Sequence, residues 1–134
     1  MKVIIVGRDA ELINPLAGRL TGAGFTVTVA ESPNAALAAM KKNNAPFVVA
    51  DPALLIEQNL AQELLKRDPL VRLIGLAARP TIPGLIEAIA EGLIDYFPRS
   101  PDYFEAVTAL IENERRRLTR WQQMLLTDSP AAGE

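Results

Sequence analysis

The segment "PFVVADPALL", residues 46–55, carries the strongest indication of the fold. Its first half, 46–50, is continuously apolar, which is typical of a strand covered on both faces of a sheet. The run ends in a carboxylate, Asp51, and a helical pattern follows it. Open α/β sheets place their chemistry at the carboxyl ends of the strands. Asp51 is therefore either a reactive group or only a residue that caps a turn or helix.

Similar strand–helix units precede and follow this stretch. Short apolar, mostly β-branched runs predict five strands, at 2–6, 25–30, 46–50, 71–77 and 93–97. Helical patterns fill the intervals, at 10–22, 33–43, 54–67, 82–91 and 102–126. Because right-handed crossovers place helices on both faces of a parallel sheet, this alternation predicts a doubly wound α/β fold. We expect one domain, 1–126, that includes the long last helix, and a flexible tail, 127–134.

Two local features refine this prediction. The second strand, "FTVTVA" (25–30), alternates apolar and polar residues, which favours a position nearer the edge of the sheet. Pro15 lies inside the first helical pattern, where proline lacks the N–H that the helix needs. The first helix therefore either begins at an Asn14 cap or is kinked at Pro15.

Composition excludes several classes of function. The 134 residues carry a net charge of −2, which does not favour a nucleic-acid-binding surface. The chain has no cysteine and no histidine, so disulfides, thiolate nucleophiles, imidazole bases and most zinc sites are excluded. No apolar run is long enough for a signal peptide or for the ~18 residues of a membrane helix. We therefore expect a cytoplasmic location, without membrane or nucleic-acid partners.

The order and spacing of the strand ends resemble those of a response-regulator receiver domain, the CheY-like phosphoacceptor module of two-component signalling, over about residues 1–115. "GFTVTVAES" (24–32) is similar to the second-strand region of that family, and "FVVAD" (47–51) to its third strand. "DYFPRS" (95–100) is similar to the fifth strand, where an aromatic precedes an essential lysine by three residues. The resemblance implies a flavodoxin-like sheet of order 2-1-3-4-5. It also implies that Asp51 is at the phosphoacceptor position and Tyr96 at that of the switch aromatic.

The other positions depart from the family pattern. The pair of acidic residues that holds Mg²⁺ in the family falls on Gly7 and Arg8, with Asp9 able to offer only one oxygen. The hydroxyl residue after the fourth strand falls on Ala77, and the lysine falls on Arg99. Mg²⁺ is a hard cation that needs several oxygen ligands in octahedral array. We therefore expect no metal and no other cofactor at this degenerate pocket.

Arginine also changes the electrostatics of the pocket. The planar guanidinium group binds a carboxylate through two parallel hydrogen bonds. Arg8 and Arg99 are therefore expected to hold Asp51 in an ion pair, and a carboxylate in such a pair is a poor nucleophile. These departures favour a signalling domain of the receiver type that acts mainly through protein–protein interaction. The alternative is a functional phosphoacceptor on Asp51, and a third possibility is a binder of small ligands at the sheet edge. The resemblance implies a partner surface on the fourth helix, fifth strand and fifth helix, for an unidentified kinase or output component.

The last helical pattern carries a second signal. Residues spaced alternately by three and four form a heptad seam: Phe104, Val107, Ile111, Glu114, Leu118, Trp121 and Leu125. At 1.5 Å per residue such a helix spans roughly 37 Å, longer than a small sheet needs. Leu118, Trp121 and Leu125 are therefore expected to project beyond the domain and to join two copies in a homodimer. The alternative is that this stripe folds back onto its own domain.

The last helix also contains a basic cluster, Arg115 to Arg117 with Arg120. Glu112 and Glu114 flank the cluster, and the whole chain is acidic. The pattern therefore predicts a solvated helix face rather than a nucleic-acid site.

Overall fold

A five-stranded parallel sheet forms the centre of the molecule. The structure, a computed structural model, describes residues 1–42 and 44–127. The strands are β1 (Lys2–Val6), β2 (Thr26–Ala30), β3 (Phe47–Ala50), β4 (Arg72–Ala77) and β5 (Leu93–Pro98). Their order in the sheet is β2-β1-β3-β4-β5, and all four neighbouring pairs are parallel. The predicted doubly wound sheet and its order are confirmed, and β2 lies at an edge as its alternating pattern indicated.

Helices cover both faces of this sheet. They are α1 (Ala10–Gly22), α2 (Pro33–Lys42), α3 (Leu60–Arg67), α4 (Ile82–Ala90) and α5 (Phe104–Thr127). Buried side chains of α1 and α5 pack on one face, and those of α2, α3 and α4 pack on the other. Successive residues of β1 point to opposite faces, so that Ile4 joins one core and Ile5 the other. Burial on both faces explains why the inner strands are continuously apolar.

The third helical segment differs from its prediction as one helix over 54–67. A short π-helix, Ala53–Glu57, comes first, and α3 begins only at Leu60. Between them Asn59 adopts the left-handed conformation, with φ of 58°. Asparagine tolerates this conformation better than most residues, because its short polar side chain can form local hydrogen bonds. The apolar residues Leu55 and Leu60 are both buried, so the interruption does not break the hydrophobic pattern.

The first helix begins at Ala10, so the alternative start at Asn14 is wrong. The helix continues through Pro15, although this residue cannot donate a backbone hydrogen bond. Ile13, Leu16 and Leu20 of α1 are buried against the sheet. Their packing on both sides of the proline stabilises the helix where local propensity opposes it.

The last helix folds back onto the domain over most of its length. Leu118 is only 9% exposed and belongs to the same core as Phe104, so the expectation that it projects beyond the domain is wrong. Trp121 is half-buried against this core, whereas Leu125 is 71% exposed. The helix continues to Thr127, and residues 128–134 of the predicted tail lie outside the described part of the chain.

Within residues 1–42 and 44–127, no helix combines the length and the apolar character that a membrane span requires.

Candidate functional site

The residues predicted to form the site follow strands of the parallel sheet at its carboxyl edge. Asp51 follows β3 at the centre of the sheet, and Gly7 follows β1 beside it. Backbone hydrogen bonds continue past the strand ends, since Gly7 N–H donates to the Ala30 carbonyl at 2.8 Å. Arg99 N–H likewise donates to the Ala77 carbonyl at 2.8 Å. These bonds fix the positions at which the side chains leave the sheet.

Both carboxylate oxygens of Asp51 are engaged. Oδ1 accepts a hydrogen bond from the Ala53 N–H at 2.8 Å, at the start of the π-helix. Oδ2 lies 3.4 Å from Nη1 of Arg99, within ion-pairing distance. The Asp51 side chain is 26% exposed and that of Arg99 is 38% exposed. Asp51 is thus both a capping residue and one half of the ion pair expected with Arg99.

Arg8 behaves differently from Arg99. Its Nε donates to the backbone carbonyl of Glu31 at 3.2 Å, which draws the side chain towards the end of β2. Among the described residues, no carboxylate lies within 4.0 Å of the Arg8 guanidinium. The expected pairing of Asp51 with an arginine therefore involves Arg99 and not Arg8.

The space beside Asp51 is apolar where the family pattern has an acidic side chain. A Cβ atom placed on Gly7 would lie 3.0 Å from Cδ1 of Ile13, so Ile13 limits the room for a side chain there. Ala77 is buried and offers no hydroxyl. In the part of the chain that the structure describes, no three carboxylate-bearing residues gather as metal ligands. This donor set does not match the several oxygens that Mg²⁺ requires.

Tyr96 lies over the amino end of α4. Its hydroxyl accepts a hydrogen bond from the Thr81 N–H at 3.4 Å. Thr81 caps α4, because its Oγ1 accepts from the Gly84 N–H at 3.0 Å. A Cβ atom on Gly84 would lie only 2.7 Å from the Tyr96 hydroxyl oxygen, so the close approach of ring and helix depends on glycine. The ring therefore connects β5 to the start of α4.

The outer face of α4 carries a stripe of exposed isoleucines. Ile82, Ile86 and Ile89 are 70%, 64% and 51% exposed, respectively. Their spacing of four and three places them on one side of the helix. The family resemblance implied a partner surface that includes this helix but did not single out these residues. The signal was present in "IPGLIEAIA" (82–90), which contains too many apolar residues for one buried face.

A charged cluster joins α5 to β4 on the opposite face. Glu114 is 5% exposed, and its two carboxylate oxygens face Arg72 Nε at 3.4 Å and Arg117 Nη1 at 2.9 Å. Both guanidinium groups also lie over the ring of Trp121, at 5.5 Å and 5.2 Å from its centroid. Cation–π attraction therefore helps to hold Trp121 against its own domain.

The basic cluster of α5 is partly used inside the molecule. Arg115 lies 4.8 Å above the ring of Phe25 and donates to the Ala23 carbonyl at 3.5 Å. Arg117 binds Glu114 of the same helix. These contacts favour a structural role for the two residues.

The comparisons with known proteins agree with this architecture. No family model matches the chain. Among solved structures, an atypical orphan response regulator superposes with a TM-score of 0.76 at 20% identity, covering 87% of this chain and 96% of the other. The orphan response regulator HP1043 of Helicobacter pylori gives 0.75 at 19% identity, covering 84% of this chain and 94% of the other. The chain has the response-regulator receiver fold. The resemblance seen in its sequence is confirmed.

Curated relatives of this receiver fold are longer proteins. The DNA-binding transcriptional regulator NtrC of Salmonella typhimurium is 29% identical over an alignment of 123 positions that covers 90% of this chain and 25% of NtrC. The transcriptional regulatory protein GlrR of Escherichia coli is 25% identical over an alignment of 134 positions that covers 96% of this chain and 30% of GlrR. The chain therefore spans between a quarter and a third of the length of these relatives.

Proposed function

We propose that the chain is a non-enzymatic, receiver-type signalling domain that acts in the cytoplasm through protein–protein interaction, without phosphorylation of Asp51. The observation that supports this most directly is the state of Asp51. Its two oxygens contact the Ala53 N–H and the Arg99 guanidinium, in a site where neighbouring positions hold Gly7 and Ala77. A carboxylate held in this way is a poor nucleophile.

The surrounding groups would also give little help to phosphoryl transfer. Catalysis of this reaction depends mainly on positioning and on stabilising the charge that develops on the phosphoryl oxygens. Ala77 has no hydroxyl that donates to those oxygens, and Arg99 is already paired with the nucleophile. An attacking Asp51 would therefore have to lose its ion pair without gaining an equivalent contact.

The isoleucine stripe on α4 is the proposed partner surface. Three large apolar side chains that are more than half exposed on one helix face are costly in water unless another surface covers them. Tyr96 contacts Thr81 at the start of the same helix. The partner is expected to present an apolar face, and the names of NtrC and GlrR suggest an output component that controls transcription.

The test is exposure of the full chain to acetyl phosphate, and separately to beryllofluoride, each with Mg²⁺. Intact-mass measurement should show no phosphoryl group on the wild type, and backbone NMR shifts near Asp51 should not change. Asp51→Asn is the matched control, since it removes the acceptor but keeps the shape. Phosphorylation of the wild type that Asp51→Asn abolishes would establish the alternative, a functional phosphoacceptor.

A further inference from the structure

The two outermost strands of the sheet, β2 and β5, differ in how many of their backbone groups are free. The outer edge of such a strand presents unpaired N–H and C=O groups, which can pair with a strand of another chain. Successive residues of a strand direct these groups alternately towards the neighbouring strand and away from it. Only every second residue of β2 and of β5 therefore contributes to an outer edge.

The outer edge of β5 is closed. The Arg99 N–H donates to β4, so the backbone groups of Tyr96 and Pro98 point outwards. The Tyr96 N–H donates to Oδ1 of Asp95 at 2.8 Å. Pro98 has no N–H, and its carbonyl accepts from the Ser100 N–H at 2.9 Å. A carboxylate and a proline are devices that prevent pairing at the edge of a sheet.

The outer edge of β2 is open. The Thr26 N–H donates to the Met1 carbonyl, and the Ala30 carbonyl accepts from the residue that follows β1. The backbone groups of Val27 and Val29 therefore point away from the sheet. Within residues 1–42 and 44–127, no backbone hydrogen bond reaches them from that side. The strand, "TVTVA" (26–30), contains neither a charged residue nor a proline.

This edge is also accessible to another chain. Val29 is 45% exposed and Thr28 is exposed, so α1 and α2 do not cover the edge at these positions. The next outward carbonyl, that of Glu31, is already occupied, because it accepts from Nε of Arg8 at 3.2 Å. An added strand would therefore pair with Val27 and Val29.

The sequence of β2 suits antiparallel pairing with a second copy of itself. With Thr28 opposite Thr28 of the second copy, Val27 lies opposite Val29 of that copy, and the outward N–H and C=O groups of the two valines meet. Antiparallel strands alternate such hydrogen-bonded pairs with pairs that are not hydrogen-bonded, as Thr28 would be here. A lone added strand would expose both of its faces, whereas a folded copy brings its own α1 and α2 to cover them.

Charges at the ends of the strand favour the same arrangement. In this register Glu31, which is exposed, lies opposite Phe25 of the second copy. Side chains of opposite residues point to the same face of a sheet. The Arg115 guanidinium lies 4.8 Å from the centroid of the Phe25 ring, and among described residues it has no carboxylate within 4.0 Å. Each copy would thus bring a carboxylate towards an arginine of the other.

We propose that two copies of the chain associate through an antiparallel pairing of their β2 strands, which joins the two sheets into one. A two-fold contact of this kind closes on itself and leaves no further edge of the same type. The contact goes beyond the proposed function, because the isoleucine stripe on α4 stays free for a partner. It is also distinct from the homodimer predicted through the last helix.

The experiment is amide hydrogen exchange of the full chain, followed by NMR at two protein concentrations. The Val27 and Val29 amides should exchange about tenfold more slowly at ~1 mM than at ~10 µM, because the fraction of monomer falls as the concentration rises. The Thr28 amide faces β1, so it should exchange equally at both concentrations and is the internal control. Sedimentation over the same range should show a dimer that forms with increasing concentration.

Variants of Val29 test the contact directly. Val29→Lys places a charge at the edge and should abolish the concentration dependence. Val29→Thr keeps the N–H and the β-branched shape and should preserve it. Thr119→Lys adds the same charge at an exposed position of α5 and should preserve it too. Leu125→Ala, which alters the exposed end of the last helix, should also leave this exchange pattern unchanged.

Three outcomes would overturn the proposal. The first is equal exchange of the Val27 and Val29 amides at both concentrations, which requires no variant to fold. The second is unchanged protection in Val29→Lys, whose own NMR spectrum reports whether it is folded. The third is protection by an acetylated peptide of residues 24–32 in a chain that does not protect itself. That result would assign the edge to an extended segment of another protein.

Discussion

The charged cluster beneath α5 allows a quantitative prediction for Glu114→Gln. This substitution keeps the shape of the side chain and removes its charge. Glu114 is 5% exposed, and the side chain of Arg72 beside it is 15% exposed. Without the carboxylate, Arg72 would remain largely buried beside a neutral amide, and its Nε already lacks a well-formed hydrogen bond. The substitution therefore leaves a buried cation without its counter-charge.

The expected loss follows from the burial of the partners. Removing one member of a buried ion pair costs roughly 3–5 kcal/mol. Arg117 is 46% exposed, so water can solvate it and its share of the loss is small. We therefore expect the free energy of unfolding to fall by about 2–3 kcal/mol. For a domain of this size, that corresponds to a decrease in Tm of roughly 6–12 °C.

Urea unfolding followed by Trp121 fluorescence measures this change, because Trp121 contacts both arginines of the cluster. Glu87→Gln is the matched control, an exposed glutamate on α4 that should change stability by less than about 0.5 kcal/mol. Replacing Glu114 and Arg72 together by leucine should recover most of the loss, because no unpaired charge then remains. A loss of less than about 0.5 kcal/mol in Glu114→Gln would refute the reasoning.

Four further predictions concern other parts of the molecule. Trp121→Ala should destabilise the monomer by about 1–2 kcal/mol, since it removes two cation–π contacts. Sedimentation of this variant should show whether the substitution also weakens the predicted homodimer. Leu125 lies on the next, exposed turn of α5 after Trp121, so Leu125→Ala should weaken that dimer without destabilising the monomer. A monomeric wild type would exclude the last helix as a homodimer contact. Gly84→Ala should lower Tm by several degrees, because its Cβ would lie 2.7 Å from the Tyr96 hydroxyl, and an unchanged melting curve would contradict this packing. Ile86→Asp should abolish partner binding in a pull-down from the native source while leaving Tm nearly unchanged, and retained binding would exclude the α4 stripe as the partner surface.

Much of this architecture could be predicted from the sequence because each strand–helix unit carries its own local signals. Continuous apolar runs indicated the inner strands, and the alternation in "TVTVA" (26–30) indicated an edge strand. The interruption at Asn59 was missed because Leu55 and Leu60 keep the apolar pattern running across it. The π-helical hydrogen bonding of Ala53–Glu57 and the left-handed backbone of Asn59 separate this segment from α3.

Side-chain partners were harder to predict than strands. The sequence placed Arg8 and Arg99 at neighbouring strand ends, but it could not show that a free carbonyl on Glu31 would draw Arg8 away from Asp51. Similarly, the heptad spacing of apolar residues in α5 does not show whether they pack against a partner helix or against the chain's own sheet. The position of Arg72 favours the chain's own sheet for Glu114 and Trp121, because its guanidinium gives both residues a partner within the domain. Because position 72 is distant in sequence from α5, the spacing of residues in α5 could not indicate that Arg72 contacts Glu114 and Trp121.

The departures from the receiver pattern at the sheet edge depend on one another. With glycine at position 7, the side chain of Ile13 can approach the end of β1, and the Cβ atom of a restored acidic residue there would lie 3.0 Å from its Cδ1 atom, closer than ordinary van der Waals contact. The Arg8 side chain donates to the Glu31 carbonyl instead, and Arg99 forms an ion pair with Asp51. Restoring one acidic residue would therefore place a carboxylate against an apolar side chain, with the other family groups still missing.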